Sequence, residues 1–406
     1  MKQNRLAGVL AVVAFLWLAS GAWAQVTISN LVVAQRAGTK LVDITYDVTS
    51  AATHVFVSLS VSNGAAQVVA TNLSGDVGDV VPGLGKAIVW NMGTDWDGNQ
   101  ADLRIGLTVR LTDYLVVNLS AGSTATNYPI SYLDSVPPGG WGDVYKTTML
   151  VLLKIPRGTF TMGSPTNEVG HGGDELQHSV TLTKDFYIGV FEVTQKQWER
   201  VMGDWPSYFT NATYRDSRPL ETISYNNIRG TAMGTNWPSS NNVDSNSFMG
   251  RLRAKTGLEF DLPTEAQWEY ACRSWTTTAL NSGYNLTNTA EDARMSEVGR
   301  YDYNCSTNDT RNVDTSGGTA KVGSYLPNVM GLYDMHGNVW EWCLDWYGTY
   351  PGTVSDPLGM SSGTDRVRRG GYWNYTAGYC RSGNRDKSGP MNGGYMYGFR
   401  LVRTLP

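Results

Sequence analysis

The sequence predicts an α+β protein, with a small β-sandwich domain followed by a larger domain that is rich in loops. Residues 25–113 consist of short runs rich in β-branched residues, separated by Gly, Asn and Asp turns, as in antiparallel strands. Beyond them, short helices with capping signals stand among irregular stretches. The chain has 45 Gly, 14 Trp and 22 Tyr but only 17% charged residues, so aromatic rings rather than long helices supply buried area.

The first 24 residues have the features of a secretory signal peptide. A basic start precedes an apolar run from Leu6 to Ala19, and the small residues Ala22 and Ala24 come just before Gln25. We expect cleavage after Ala24 and export to the periplasm, the cell surface or the medium. The apolar run is short for a membrane span and no later stretch is long enough, so we expect no transmembrane span.

Charge and cysteine content narrow the class of partner and site. The chain has 32 Lys and Arg against 36 Asp and Glu, and this net charge of −4 does not indicate nucleic-acid binding. The four cysteines, Cys272, Cys305, Cys343 and Cys380, all lie in the second half of the chain. In an exported protein they predict disulfides, with three pairings open. No CxxC spacing indicates a zinc or thioredoxin-like site.

The sequence before residue 149 predicts one folded domain followed by a linker. The strands of residues 25–113 carry no constellation of reactive side chains, which favours an adhesive, spacing or docking module. Residues 114–148 contain pieces rich in Ser, Thr, Gly and Asn together with the sequence PPGG, so we expect an irregular linker. The second domain then covers residues 149–406.

Two helices of the second domain are marked by capping boxes. Thr194 stands three residues before Gln197, and Thr264 three residues before Gln267. In each pair the two side chains can satisfy free N–H groups of the first helical turn. A third short helix should end at Gly257. These are scaffold features and indicate no reaction type.

The most unusual stretch of the chain, GLYDMHGNVWEWCLDW, runs from Gly331 to Trp346. Asp334 and Glu341 flank a tight turn in which Gly337 can adopt the positive φ that such turns commonly need. Two carboxylates beside turn carbonyls form a cluster of hard oxygens, the type of ligand set that Ca²⁺ prefers. The residues alone leave an alternative open, in which Glu341 accepts from buried backbone N–H groups while Trp340, Trp342 and Trp346 fill a core.

The motif GLYDMHGNVWEW resembles the central motif of the formylglycine-generating enzyme, or sulfatase-modifying-factor, family. VLLKIPRGTFTMGS also resembles the start of that domain, and the resemblance continues to the C-terminus. It implies a variant of the C-type lectin fold for residues 149–406. It also implies a structural Ca²⁺ bound by Asp334, by the carbonyls of Gly337 and Val339, and by the carboxylate of Glu341.

The resemblance implies two further features of the second domain. Asp314 falls where the family places an acidic ligand of a second Ca²⁺, although Arg300 at the companion position would repel a cation. The enzymes of the family link the cysteine equivalent to Cys272 to one near Cys380 or Ser382. We therefore expect a Cys272–Cys380 disulfide, which leaves the other two cysteines paired with each other or free.

The C-terminal segment departs from the family at the residues that carry enzymatic activity. Formylglycine-generating enzymes need two cysteines in this segment to bind one Cu(I), because soft thiolates select that ion. Counted from Gly370-Gly371, those positions hold Tyr375 and Cys380, and a phenol cannot replace a thiolate toward Cu(I). An oxidoreductase that converts a cysteine of an exported sulfatase to formylglycine is therefore the alternative, with Cys380 as its candidate catalytic residue.

Residues 372–397 have the composition of a binding loop. Rigid Tyr and Trp rings give contact area at low entropic cost, and small Asn, Ser and Gly residues adapt to a ligand. The loop looks like that of the variable proteins diversified by retroelements, so we expect a non-catalytic protein that binds a protein or glycan. The alternative interpretation is that these residues only build an irregular, loop-rich fold. The candidate ligand-binding residues are Tyr372, Trp373, Asn374, Tyr375, Tyr379, Asn384, Asp386, Lys387, Asn392, Tyr395 and Tyr397.

Other enzyme classes lack the residues they need. The sequence has no GxSxG elbow, no HExxH helix and no phosphate-cradling glycine loop. Non-haem iron relatives that share this domain bind iron through histidines, and the chain has only four, with no paired spacing. We therefore expect a binding protein with a structural Ca²⁺, and Cu(I) only under the enzyme alternative.

Overall fold

The computed structural model describes residues 26–50, 55–63, 66–68, 70, 72–95, 103–110, 113–305 and 317–406. The chain divides into two compact units, Met1–Asp113 and Tyr114–Pro406. The expected signal peptide, residues 1–24, lies outside the described residues, and so does Asp314. None of the helices in the described part has both the length and the apolarity that crossing a membrane requires.

The first unit is a sandwich of two antiparallel sheets. One sheet contains, in spatial order, β1 (Thr27–Gln35), β2 (Leu41–Thr49), β7 (Gly83–Asn91) and β5 (Leu73–Gly75). In the other, β3 (Val55–Asn63) pairs with β4 (Ala66–Val68), β6 (Gly78–Val80) and β8 (Leu103–Arg110). A single helical turn, α1 (Met92–Asp95), follows β7. Because burial alternates along β2, Ile44 and Tyr46 face a core that also holds Trp90.

The second unit is built on a five-stranded antiparallel sheet. Its strands, in spatial order, are β10 (Ile130–Leu133), β9 (Tyr114–Asn118), β11 (Met149–Ile155), β14 (Phe186–Gly189) and β22 (Val402–Thr404). Residues 114–148, expected to form an irregular linker, instead supply two of these strands and α2 (Val144–Thr147). The difference has a physical reason. Strand β9 is short and buried on both faces, with Leu115 in one core cluster and Val116 in another.

The second unit also contains three smaller sheets. One contains β12 (Gly158–Met162), β13 (His178–Leu182) and β18 (Val354–Ser355), and the second pairs β15 (Gly299–Arg300) with β16 (His336–Gly337). The third contains, in order, β20 (Arg385–Ser388), β19 (Arg366–Arg369), β17 (Trp340–Trp346) and β21 (Tyr397–Gly398). Strand β17 therefore lies between the two strands that begin and end the C-terminal segment.

The helices are short and begin where the capping residues predict. α3 (Gln195–Met202) and α6 (Glu265–Arg273) follow Thr194 and Thr264, each of which forms the predicted capping box. α5 (Phe248–Thr256) ends at Gly257, which has φ +70°. These three predictions are confirmed. The remaining helices of the described part are α4 (Tyr225–Arg229) and α7 (Met295–Val298), besides short 3₁₀ turns.

Buried ion pairs tie the loops of the second unit together. They join Arg369 to Glu265 and Glu269, Arg381 to Glu168 and Glu175, and Arg385 to Glu265. All of these side chains are at least nine-tenths buried. Because removing one partner would leave a buried charge, such pairs fix the geometry of the segments that carry them.

Candidate ligand-binding surface

The stretch from Gly331 to Trp346 forms the tight turn that its sequence predicts. Gly337 has φ +78°, and a Cβ there would collide with the carbonyl of Arg300, its neighbour across β15 and β16. Only glycine fits this close approach. The turn leads from the buried Asp334 into β17, which carries Glu341.

Both carboxylate oxygens of Glu341 accept hydrogen bonds from side chains inside the protein. Its Oε1 accepts from Arg400 Nη2 at 2.5 Å, and its Oε2 accepts from Arg400 Nε at 2.6 Å and Trp268 Nε1 at 2.7 Å. All three residues are buried. Burial alone would lower the pKa of Arg400, but the Glu341 carboxylate raises it. Glu341 is thus a buried acceptor, as in the alternative, but its donors are the side chains of Arg400 and Trp268 rather than the expected backbone N–H groups.

Two more buried carboxylates lie near this pair. Asp334 Oδ2 accepts from the N–H of Gly323 at 2.6 Å, while Asp334 Oδ1 is buried without a hydrogen-bond partner. Glu192, which the sequence reasoning missed, accepts from Asn338 Nδ2 at 2.6 Å. Burial raises the pKa of Asp334 to about 6. Burial and the charges of Asp334 and Glu341 raise the pKa of Glu192, which favours the protonated form of this carboxyl group.

The C-terminal segment presents a row of aromatic rings. Gly370 and Gly371, with φ +96° and +79°, turn the chain out of β19 toward the 3₁₀ helix Ala377–Cys380. Five successive contacts, with centroids 4.6, 4.5, 6.1, 5.9 and 5.9 Å apart, connect Tyr379, Tyr375, Tyr372, Trp373, Tyr395 and Tyr208. Phe209 lies 5.4 Å from Trp373. We call these seven rings, together with Tyr397, the aromatic surface.

The tyrosines of the aromatic surface differ in exposure but share unpartnered hydroxyl groups. Tyr208, Tyr379 and Tyr395 are 68%, 49% and 39% exposed, whereas Tyr372 is buried. None of the tyrosine hydroxyls of this surface makes a hydrogen bond to another residue in the described part of the chain. Tyrosine hydroxyls usually find a partner when they are shielded from water. These groups are therefore available to a ligand.

A partly buried ion pair adjoins the rings. Arg368 on β19 donates through Nη2 to Asp386 Oδ2 at 2.8 Å, and the two residues face each other across the β19–β20 ladder. The Arg368 guanidinium carbon lies 4.5 Å from the ring centroid of Tyr397 and 5.2 Å from that of Trp340. Burial raises the pKa of Tyr372 to about 12, and the charge of Arg368 opposes this rise.

Most of the predicted ligand-binding residues meet at this surface. They are Tyr372, Trp373, Tyr375, Tyr379, Asp386, Tyr395 and Tyr397, with the exposed Asn374 beside them in the chain. Lys387 does not join them, because it lies over the ring of Tyr347, 4.6 Å from the centroid. Successive side chains of a strand point to opposite faces, so Lys387 and Asp386 are separated by β20.

Two predicted asparagines also lie apart from the aromatic surface. Asn384 Nδ2 donates to Glu175 Oε1 at 3.3 Å, within the buried ion-pair network. Asn392 Nδ2 donates to Ser388 Oγ at 3.1 Å. Their side chains therefore serve the turns of the segment rather than the row of rings.

Tyr208 and Phe209 complete the surface from a distant loop and were missed by the sequence reasoning. Their backbone N–H groups donate to the two carboxylate oxygens of Glu221 at 3.0 Å each, which fixes the loop. The run WPSYFT, with aromatic residues around a proline, was the available signal. Nothing in its local pattern shows that it reaches Trp373.

Residues 144–405 match the family model described as the sulfatase-modifying factor enzyme 1-like domain. The chain belongs to this family. It is 27% identical over 291 residues to the formylglycine-generating enzyme of Mus musculus, covering 62% of this chain and 74% of that protein. Over 244 residues it is 31% identical to the chaperone protein LppX of Paenibacillus barcinonensis, covering 56% and 82%. The solved Treponema denticola variable protein 1 aligns with a TM-score of 0.50 and 25% identity, covering 64% and 96%.

These findings confirm the family and the fold class that the sequence predicts. The second domain of this sulfatase-modifying-factor protein is a loop-rich, C-type-lectin-like domain within an α+β chain. The family match begins at residue 144, so α2 belongs to the domain rather than to a linker.

The cysteines of this family member are free thiols, so the predicted Cys272–Cys380 disulfide is wrong. Cys272 Sγ lies 3.6 Å from Ser382 Oγ, and Cys380 Sγ donates to the carbonyl of Thr376 at 3.7 Å. Ser382 is therefore the residue that faces Cys272, and a hydroxyl cannot complete a disulfide. The two other cysteines are also unpaired.

The thiols and phenols of this segment do not fit a Cu(I) site. Cys380 is fully buried, and burial raises the pKa of its thiol to about 12, so little thiolate exists at neutral pH. Tyr375, at the position of the first cysteine, has a phenol whose pKa burial also raises. A phenol is not the soft donor that Cu(I) prefers, and Cys380 alone supplies only one of the two thiolates of such a site.

The predicted calcium ligands are only partly suited to a cation. Both oxygens of Glu341 already accept from Arg400 or Trp268, and the guanidinium would repel Ca²⁺. Gly337 and Val339 contribute only backbone carbonyls. Within the residues that the structure describes, no group of three or more acidic, His or Cys side chains could hold a metal ion. Because Asp334 Oδ1 is unpartnered, a cation there stays a prediction.

A second calcium site is disfavoured by the position of Arg300. Its buried guanidinium donates to the carbonyls of Gly318, Asn304 and Cys305 at 3.0, 2.5 and 3.0 Å. These carbonyl oxygens already face a positive charge. Because Asp314 lies outside the described residues, this site too stays a prediction.

Proposed function

We propose that this protein is an exported, non-catalytic member of the sulfatase-modifying-factor family that binds a protein or glycan through the aromatic surface. The row of rings from Tyr379 to Tyr208, with its unpartnered hydroxyls, carries the proposal. Rigid rings offer contact area with little loss of side-chain entropy, and their hydroxyls add hydrogen bonds. Such a surface suits recognition rather than bond chemistry.

The scaffold behind the rings supports the same function. The ion pairs of Arg381 and Arg385 hold the segment from within, and Glu221 fixes the Tyr208 loop. A surface that is held in place before binding loses little entropy when it binds a ligand. The aromatic surface is therefore pre-organised by interactions that do not involve its rings.

The oxidoreductase alternative has less support, because Cys380 is a buried, protonated thiol without a second cysteine. Incubation with Cu(I), O₂ and a cysteine peptide of the sulfatase type tests it. We expect no aldehyde product. Formation of formylglycine that is lost in Cys380→Ser would establish the enzyme and a sulfatase as its partner.

Glycan and peptide arrays test the binding proposal. We expect the wild-type protein to retain ligands that Trp373→Ala loses, because Trp373 contacts Phe209 and Tyr395 at the centre of the row. Trp275→Ala is the matched control, since this 61% exposed ring follows α6 and lies outside the row. Equal retention by wild type and Trp373→Ala, or no retained ligand at all, would contradict the proposal.

Export rests on the character of residues 1–24, with their basic start and apolar run. Expression of the full chain in a secreting host should give an exported protein that begins at Gln25. Retention inside the cell with Met1 intact would contradict export without affecting the binding proposal.

A further inference from the structure

Three hydrogen-bond donors beside the aromatic surface have no acceptor. They are Nε and Nη1 of Arg368 and Nε1 of Trp340, all buried and all without a partner in the described part of the chain. Arg368 is 8% exposed, and Trp340 is fully buried. A buried donor without an acceptor destabilises the folded state by about 1–3 kcal/mol. Most buried polar groups are therefore paired, and an unpaired cluster calls for a physical reason.

The three donors lie close to one another and to the rings. The Arg368 guanidinium carbon is 5.2 Å from the Trp340 centroid, and the Tyr375 ring meets Trp340 at 6.1 Å and 83°. In the described part, Arg368 is the only arginine with two buried, unpartnered nitrogens. Three unpartnered donors therefore lie together beside the aromatic surface, two of them on one arginine.

We propose that Arg368 and Trp340 bind a carboxylate group of the ligand, while the adjoining part of the ligand stacks on the aromatic surface. The inference rests on the proposed function and specifies the chemistry of the ligand. A carboxylate only accepts hydrogen bonds and has several lone pairs, so it matches a group of donors. A hydroxyl or amide would bring donors of its own. Arginine is also the side chain best suited to carboxylates.

Asp386 competes with the ligand carboxylate for the guanidinium of Arg368. It accepts from Nη2 of Arg368 at 2.8 Å and its side chain is 30% exposed. It partly neutralises the guanidinium but leaves Nε and Nη1 unpaired. A ligand carboxylate therefore approaches an arginine that is only partly compensated, and its attraction is reduced by the negative charge of Asp386.

The ring of Tyr375 lies beside the buried donors. This ring is half-buried, it contacts the rings of Tyr372 and Tyr379 as well as Trp340, and its hydroxyl has no partner among the described residues. Because ring contacts alone hold the side chain, rotation of Tyr375 breaks no hydrogen bond of its own. A rotation of Tyr375 that admits a carboxylate to Arg368 and Trp340 therefore needs no unfolding of the segment.

Benzoate is a suitable probe, with benzamide as its neutral, isosteric control. Both present a ring to the aromatic surface, but only benzoate carries a charged acceptor group. In ligand-detected NMR titrations of the exported protein, we expect benzoate to bind about tenfold or more tightly than benzamide. Arg368→Gln should reduce this ratio to near one. Arg294→Gln, in which the altered arginine stacks on Tyr284 at 4.0 Å, is the matched control and should keep it.

Asp386→Asn separates binding from a folding defect. Removal of the competing carboxylate should tighten benzoate binding several-fold and leave benzamide binding unchanged. If the substitution only disturbed the fold, the binding of both benzoate and benzamide would weaken. Displacement of benzoate by a glutamate-rich peptide or by glucuronate then shows whether the carboxylate belongs to a peptide or a glycan.

Different results overturn different parts of the account. Equal affinity of the wild type for benzoate and benzamide, or weaker benzoate binding by Asp386→Asn, overturns the carboxylate inference. The binding proposal would stand in that case if array ligands are still lost in Trp373→Ala. If neither probe nor any array ligand binds, both proposals fail.

Discussion

Glu341 and Arg368 lie on neighbouring strands, β17 and β19, yet their surroundings differ. The Glu341 carboxylate accepts from Arg400 and Trp268 through both of its oxygens. Arg368 donates only to Asp386, and two of its nitrogens have no partner in the described part of the chain. Strand β17 is almost completely buried, whereas β19 leads into the partly exposed segment that carries the aromatic surface.

The difference separates the groups that stabilise the fold from those available for binding. Polar groups that hold the frame are saturated by internal partners, and their loss leaves a buried charge or dipole unpaired. The tyrosine hydroxyls of the aromatic surface lack such partners, so we expect their removal to have little effect on folding. We therefore expect changes around Glu341 to act on stability and changes at the rings to act on binding.

The largest effect on stability should come from Glu341→Gln. This change leaves Arg400 as a buried cation without its counter-charge, and we expect the free energy of unfolding to fall by roughly 3–5 kcal/mol. Urea unfolding measures it. Glu259→Gln is the control, because this exposed carboxylate meets Arg253 at 3.3 Å and should contribute less than about 1 kcal/mol. Similar losses in the two variants would contradict the comparison.

The pH dependence of Asp345 should give the next largest effect. Burial and the charge of Glu265 raise its pKa to about 7. Because the folded-state pKa exceeds the unfolded value of about 3.9, the stabilising protonated form is fully present below pH 4 and is lost as the pH rises through 7. Asp345→Asn cannot ionise, so it should gain stability relative to wild type from pH 4 to 8, by roughly 4 kcal/mol at most.

Urea unfolding of wild type and Asp345→Asn at several pH values measures this difference. Asp216→Asn, which alters a side chain that is about half exposed, is the control and should differ from wild type by a nearly constant amount. A constant difference for Asp345→Asn as well would show that its carboxyl group titrates normally.

Reduction should have no effect on stability, because the four thiols are free. Loss of a Cys272–Cys380 disulfide would instead lower the free energy of unfolding by about 2–5 kcal/mol. Thermal unfolding with and without reductant distinguishes these outcomes. Alkylation in denaturant without reductant should label all four cysteines, and a peptide linking Cys272 to Cys380 would restore the disulfide.

Removal of divalent cations should give the smallest effect. Arg400 already neutralises Glu341, so we expect no measurable change in melting temperature when EGTA is added. A fall in melting temperature that Ca²⁺ reverses and Mg²⁺ does not would support the predicted calcium site. In that case the unpartnered Oδ1 of Asp334 would be the first ligand atom to test, with Asp334→Asn.

Sequence reasoning predicted the features that depend on residues close together in the chain. The capping boxes at Thr194 and Thr264 and the turn at Gly337 each involve a few consecutive positions. Their backbone hydrogen bonds and φ angles depend on those positions alone. The family motif is also local. These features are set by hydrogen-bond geometry and by allowed φ values, which a short sequence determines.

Long-range pairings could not be predicted from one sequence. Glu192 meets Asn338, and Tyr208 meets Tyr395, only after the sheets and loops have assembled. The disulfide prediction failed for a related reason, since counting along an irregular loop does not show that Ser382 rather than Cys380 faces Cys272. In the same way, composition did not show which side chains of the segment point away from the rings.

The most direct test of the central claim measures binding and stability in the variant Tyr379→Ala. Tyr379 is about half exposed and contacts the ring of Tyr375 at 4.6 Å. We expect its removal to change the free energy of unfolding by less than about 1 kcal/mol, yet to weaken retention on the ligand array. Tyr284→Ala, which removes a ring of similar exposure, should retain both properties. Unchanged binding by Tyr379→Ala, or loss of binding only in step with unfolding, would contradict the account.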